Sequence, residues 1–144
     1  VVVVATVRAL KMHGGLDKSQ LDAEDLTALE RGIPNLLRHV RNIKNVYHLP
    51  CVVALNRFPT DTEAELKLVE EKCAQLDTSI VLSDVWAHGG EGGKELAEAV
   101  VRLCEEDNSG FGFCYEDELG IEIELDEKVE TVDDLDKFIQ SKQG

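Results

Sequence analysis

The sequence lacks the features that mark membrane, secreted and metal-clamped proteins. No apolar run approaches the roughly 20 residues that a transmembrane helix needs. The valine run at residues 1–4 has neither the basic flank nor the cleavage site of a signal peptide. No two of the four cysteines are in C-x-x-C spacing, and three of them fall in apolar stretches, so we expect reduced thiols and no metal site. These absences predict a cytoplasmic protein without membrane contact.

Basic residues are also scarce, which argues against nucleic-acid binding. The 144 residues carry a net charge of −14, whereas binding to a phosphate backbone needs clustered Lys and Arg. Residues 1–104 hold 15 acids and 12 bases, and residues 105–144 hold 14 acids and 3 bases. We therefore expect a near-neutral domain over residues 1–105. An acidic, partly divergent segment over residues 106–144 should serve as a solvated or interaction surface.

Strand-like and helix-like stretches alternate along the near-neutral part of the chain. Short β-branched and apolar runs predict strands over residues 1–7, 51–55 and 79–82. Apolar residues at helical spacing predict helices over residues 22–46, 62–76 and 94–104. Three β-then-α units in a row predict an α/β fold, a parallel sheet with flanking helices.

The helices carry more detailed expectations. Asp22 is the expected N-cap of the first helix, and residues 32–34, which contain a glycine and a proline, are expected to kink or break it. Thr60 or Asp61 is a candidate cap of the second helix. The third helix is expected to bury Leu96, Ala97, Val100, Val101 and Cys104.

Ligands of parallel α/β sheets bind beyond the carboxyl ends of the strands, so the segments after each strand are the candidate site. The first, residues 8–15, brings Arg8 and Lys11 as possible contacts for an anion. The second, residues 56–61, places Phe58 in a polar turn, where an aromatic ring indicates a ligand. The third, residues 84–93, contains the only tryptophan, Trp86.

The third segment also holds four glycines, Gly89, Gly90, Gly92 and Gly93. Glycines let backbone N–H groups approach a ligand closely, although they also suit a tight connection. The segment is not a Walker-type phosphate loop, because His88 replaces the first glycine and Glu95 follows Lys94 where Ser or Thr is required. No nucleophile arrangement can be assigned from the sequence, so the catalytic residues stay unknown.

Three stretches closely resemble the formate–tetrahydrofolate ligase family, in order and in separation. They read VATVRALKMHGG at residues 4–15, NRFPTDTEAE at residues 56–65 and VWAHGGEGG at residues 85–93. The resemblance covers residues 1 to about 105 and fades through residues 111–131. From about residue 132 no family pattern is expected.

The resemblance implies a carbon–nitrogen ligase of one-carbon metabolism. Such an enzyme uses ATP to join formate to N10 of tetrahydrofolate, through formyl phosphate, in a P-loop-NTPase-like domain. The full-length family binds ATP and Mg and is homo-oligomeric. The resemblance also implies that Phe58 and Trp86 stack on the pterin of the substrate. The residues expected to line the pocket around them are Asn56, Arg57, Thr60, Asp61, Gly89, Gly90, Gly92 and Gly93.

The departures from the family concern the nucleotide side of the site. The family's phosphate loop lies upstream of the first matching strand, and its formate-activating arginine and monovalent-cation site are also missing. We therefore expect a partial chain that keeps the folate-binding loops, lacks the phosphate loop and is inactive alone. The alternative is a non-catalytic truncated paralogue that acts as an interaction module through its acidic end. Retention of Phe58 and Trp86 favours the first interpretation.

Overall fold

The structure, a computed structural model, describes residues 1–105 and 110–115. Residues Val1–Cys114 form one compact unit, and the second unit, Tyr115–Gly144, lies almost wholly outside the described residues. Most of the acidic segment expected over residues 106–144 is therefore not described. None of the described helices is both long enough and apolar enough to cross a membrane.

A three-stranded parallel sheet forms the centre of the first unit. Strands β1 (Val2–Ala5), β2 (Val52–Asn56) and β3 (Ile80–Ser83) lie in the order β1-β2-β3. Val3 pairs with Val53, and Leu55 pairs with Leu82. Helices flank the sheet, which confirms the predicted α/β class. They are α1 (Val7–His13), α2 (Leu26–Asn45), α3 (Glu63–Ala74), α4 (Val85–His88) and α5 (Lys94–Glu105).

The first strand is shorter than predicted, and the segment after it is a helix. The hydroxyl of Thr6 accepts a hydrogen bond from the backbone N–H of Ala9 at 3.1 Å, which caps α1. Helix α1 then buries Val7, Leu10 and Lys11. The prediction of a strand through residue 7 and a loop over residues 8–15 is wrong. The β-branched pattern continues across the N-cap residue Thr6, so it does not mark the residue where the strand ends and the helix begins.

Helix α2 runs unbroken for 20 residues. Its N-cap is Asp25, whose carboxylate accepts a hydrogen bond from the N–H of Ala28 at 2.8 Å, and Asp22 is paired elsewhere. The predicted break at residues 32–34 does not occur, and Pro34 lies inside the helix. Gly32 has a packing role instead. A Cβ atom there would lie 1.8 Å from the carbonyl oxygen of Leu10, so the glycine permits close approach of α1 and α2.

The hydrophobic core fills the space between one face of the sheet and helices α1, α2 and α3. Side chains on a strand alternate between the two faces, so Val53 and Leu55 join this core while the buried Val52 and Ala54 point to the opposite face. Helix α5 packs against β2 and β3. The core members with the least exposure are Val7, Leu29, Ile33, Val40, Val53, Leu55, Val69 and Cys73.

The buried stripe of α5 differs from the predicted one. Ala99 is buried, and Leu96, Val100 and Leu103 are half-buried beside it. These positions are spaced as one face of a helix. Three residues predicted to face inward are exposed instead: Ala97, Val101 and Cys104.

Candidate functional site

The carboxyl ends of the three strands meet at one cavity of about 520 Å³. Asn56 and Ser83 are the last residues of β2 and β3, and Thr6 follows the last residue of β1. The remaining lining comes from the segments after β2 and β3. The full lining is Thr6, Asn56, Arg57, Phe58, Pro59, Ser83, Val85 and Trp86. The segments after all three strands therefore converge, as expected of a parallel α/β sheet.

Phe58 and Trp86 line this one cavity although 28 positions separate them in the sequence. The side chain of Phe58 is 40% exposed and that of Trp86 is 87% exposed. Large aromatic side chains are usually covered, and a solvent-facing pair on a concave surface is typical of a binding site. The cavity is therefore suited to a flat, partly apolar ligand.

Hydrogen bonds close the turn that carries Phe58 at both ends. The N–H of Phe58 donates to a carboxylate oxygen of Asp61 at 2.8 Å, and the N–H of Asp61 donates to the carbonyl of Phe58 at 3.0 Å. Asp61 is 7% exposed, and burial raises the pKa of its carboxyl group. It is the buried last residue of the turn and does not line the cavity, in contrast to the expectation.

Thr60 does not line the cavity either, and it is exposed. The cap of α3 is Thr62, not Thr60 or Asp61. The hydroxyl of Thr62 accepts from the N–H of Glu65 at 3.3 Å, and the carboxylate of Glu65 accepts from the N–H of Thr62 at 3.1 Å. This capping box fixes the start of α3 directly after the Phe58 turn.

Arg8 lies beside the cavity on α1. Its guanidinium carbon is 5.4 Å from the centroid of the Phe58 ring, and a terminal nitrogen of the same group pairs with the carboxylate of Asp22. The distance to the ring is within the range of a cation–π contact. Arg8 therefore contacts a predicted ligand-binding residue, although it is not itself among the lining residues.

Lys11 does not fit the expectation that it contacts an anionic ligand. Its side chain is 1% exposed, and its ammonium donates to Glu65 at 2.8 Å and to the carbonyl of Ala23 at 2.9 Å. Burial alone would raise the pKa of Glu65, but the hydrogen bond from Lys11 and those from two backbone N–H groups lower it overall. Lys11 belongs to a core ion pair.

The four glycines also lie outside the lining of the cavity. They form a 3₁₀ helix at Gly89–Gly93. Gly89 has a φ of 58°, which favours glycine, and a Cβ atom at Gly92 would lie 2.2 Å from the carbonyl oxygen of Asp84. The glycines serve a tight connection between α4 and α5, which was the alternative to a ligand-binding loop.

Four lining residues were not predicted from the sequence: Thr6, Pro59, Ser83 and Val85. Ser83 is the last residue of β3, and Thr6 directly follows β1. The rule that ligands bind at the carboxyl ends of parallel strands would have identified both, had the strand ends been located correctly. In residues 1–105 and 110–115, no group of three or more His, Cys, Asp or Glu side chains could hold a metal ion.

A sequence model of one family, formate–tetrahydrofolate ligase, matches residues 1–137. The chain belongs to the formate–tetrahydrofolate ligase family. The resemblance carried by the three motifs is thereby confirmed. The match to the ligase family extends past residue 132, so the expectation that the family pattern ends there is wrong through residue 137. Members of this family are carbon–nitrogen ligases whose substrates are formate and tetrahydrofolate.

Proposed function

We propose that the cavity binds the pterin group of tetrahydrofolate between the rings of Phe58 and Trp86. The observation that carries this proposal is that two exposed aromatic side chains, from segments after different strands, line a single cavity. A flat heteroaromatic group between two rings gains about 0.5–1.5 kcal/mol per aromatic pair beyond the burial of its surface. The volume of about 520 Å³ lies within the usual range of small-molecule pockets.

Polar groups at the strand ends suit the edges of a pterin. Thr6, Asn56 and Ser83 line the same cavity as the two rings. Hydroxyl and amide groups both donate and accept hydrogen bonds, so they can pair with the amino and N–H donors and with the carbonyl and ring-nitrogen acceptors of a pterin. An apolar pocket with a few polar groups is the usual composition of a specific small-molecule site.

We propose that this chain alone does not activate formate with ATP. The sequence contains no G-x-x-x-x-G-K-[ST] motif, and Gly92 of the 3₁₀ helix packs against the carbonyl oxygen of Asp84. Phosphoryl transfer needs a phosphate cradle and a metal ion. Purified chain supplied with formate, ATP, magnesium and tetrahydrofolate should therefore produce no 10-formyltetrahydrofolate. Sustained turnover that survives repeated purification would contradict this part of the proposal.

Trp86 provides the direct test of the tetrahydrofolate site, because it is the only tryptophan in the chain. Titration with folic acid should quench its fluorescence to a saturating level, since a stacked pterin contacts the indole. Free N-acetyltryptophanamide, titrated in parallel, corrects for light absorbed by folic acid. Calorimetry on the same samples should give the same affinity. If neither method detects saturable binding, the cavity is not a folate site in this chain, and the interaction-module alternative is favoured.

A further inference from the structure

We propose that Arg8 and Asp61 are positioning residues that fix the ring of Phe58 in the lining of the cavity. Arg8 contacts the ring of Phe58, and Asp61 forms hydrogen bonds with its backbone. The relevance of this arrangement to ligand binding rests on the proposed tetrahydrofolate site. The device itself can be tested without any ligand.

Asp61 holds the backbone of the Phe58 turn in a single geometry. The two residues exchange hydrogen bonds of 2.8 Å and 3.0 Å, which close a four-residue turn. The second carboxylate oxygen of Asp61, Oδ1, is buried without a hydrogen-bond partner among the described residues. A buried oxygen without a partner destabilises the fold. The carboxylate of Asp61 therefore stabilises the turn through the hydrogen bond that it accepts from the N–H of Phe58.

Arg8 holds the ring from a different element of the fold. Its guanidinium lies 5.4 Å from the ring centroid and also forms an ion pair with Asp22. The Phe58 turn follows β2, whereas Arg8 belongs to α1. The ring is thus tied to a helix that is itself packed tightly against α2. Part of the ring, 40% of the side chain, remains exposed for a ligand.

Restraint of both backbone and ring should favour stacking. A side chain that is ordered before binding loses less conformational entropy when the ligand arrives. The geometry of a binding site is also more precise when a layer of supporting residues holds the residues that contact the ligand. Arg8 and Asp61 supply such a layer, although neither lines the cavity.

The ligand-free test uses NMR on the full chain with labelled phenylalanine. Phe58→Leu identifies the Phe58 signals among the four phenylalanines. In the parent, the Arg8 side-chain protons should be shifted upfield by the ring, and Phe58→Leu should abolish this shift. Arg8→Gln and Asp61→Ala should move or broaden the Phe58 signals, whereas Asp61→Asn, which keeps the acceptor oxygen, should retain them. Arg38→Gln, an exposed change on α2, is the matched control and should leave them unchanged.

The binding test uses folic acid and calorimetry. Arg8→Gln should weaken binding about two- to fivefold, as expected for loss of one exposed cation–π contact. Asp61→Ala should weaken it about two- to tenfold, because the loop must be ordered on binding. In a Phe58→Leu background, Arg8→Gln should have no further effect. This non-additivity is not expected of a residue that only stabilises the fold.

The outcomes separate this inference from the proposed function. Unchanged Phe58 signals in Arg8→Gln would overturn the positioning role of Arg8. If Asp61→Ala folds and its Phe58 signals are unchanged, the role of Asp61 is overturned as well. If Asp61→Ala does not fold, Asp61→Asn decides the role of Asp61: retained Phe58 signals support the role of its acceptor oxygen, and changed signals overturn it. Absence of folic acid binding by the parent, with the NMR effects present, would refute the tetrahydrofolate site while supporting the positioning device.

Discussion

The ammonium of Lys11 lies 2.8 Å from a carboxylate oxygen of Glu65, and neither side chain is more than 1% exposed. Both charged groups make further hydrogen bonds. Lys11 also donates to Ala23, and Glu65 also accepts from the N–H groups of Asp25 and Thr62. The pair therefore joins α1, the start of α2 and the start of α3.

Removal of one partner of this pair should destabilise the fold strongly. We expect Lys11→Met to lower the free energy of unfolding by about 3–5 kcal/mol, because it leaves a buried carboxylate without its counter-ion. Urea denaturation near neutral pH measures this change. The double variant Lys11→Met/Glu65→Met should recover much of the loss, since it removes both charges. Lys67→Met, which breaks only the exposed pair with Glu71, should cost less than about 1 kcal/mol. A Lys11 variant as stable as the Lys67 control would contradict this interpretation of the pair.

Two buried carboxyl groups should give opposite dependences of stability on pH. The pKa of Glu65 is lowered in the folded state, because its hydrogen bonds outweigh burial. Ionised Glu65 therefore stabilises the folded protein at pH values above the pKa of the unfolded state. This stabilisation is lost as the pH falls through the pKa of the folded state. The pKa of Asp61 is raised, chiefly by burial. The contribution of protonated Asp61 to the stability of the fold is therefore greatest at pH values below the pKa of the unfolded state. This contribution is lost as the pH rises through the pKa of the folded state.

Neutral variants separate the two groups experimentally. On acidification from neutral pH to about pH 3, the parent should lose stability relative to Glu65→Gln. Over the same range it should gain stability relative to Asp61→Asn. Urea denaturation at several pH values measures both differences. Equal slopes for the parent and both variants would show that neither group is perturbed.

Phe58→Ala should separate ligand binding from stability. The side chain is 40% exposed, so truncation should cost well under the roughly 3–5 kcal/mol of a buried phenylalanine. Loss of one stacking contact should weaken folic acid binding about three- to tenfold. Thermal denaturation and calorimetry give the two values. Leu29→Ala, a fully buried control on α2, should instead cost about 2–5 kcal/mol. A Phe58 variant as unstable as the Leu29 control, with unchanged affinity, would show that the ring belongs to the core.

Gly32→Ala should destabilise the protein although alanine is the better helix former. In an open helix the change would gain about 1 kcal/mol. Here the new Cβ atom would lie 1.8 Å from the carbonyl oxygen of Leu10, so α1 and α2 must separate at a cost of about 1–3 kcal/mol or more. Gly90→Ala, where no atom lies within 4 Å of the added Cβ, should be nearly neutral in urea denaturation. A stabilised Gly32 variant would show that the helices are not packed this closely.

The sequence determined the alternation of strands and helices, and with it the parallel sheet and the edge where the candidate site lies. These follow from local periodicity, since a β-branched run and a helical spacing of apolar residues are each readable over about a dozen positions. The family motifs also predicted that Phe58 and Trp86 stack on the same ligand. Sheet topology then brought both rings to one cavity, because the carboxyl ends of parallel strands share an edge.

The tertiary structure alone decided the roles of Lys11, Gly32 and the glycines after α4. Lys11 looked free to meet an anion, yet its partner Glu65 is 54 positions away. Gly32 looked like a helix breaker, yet it is the contact point with α1. Each role depends on what lies opposite the residue in space. Packing between distant elements, which local propensity does not encode, therefore determines whether a charge is buried or a glycine is required.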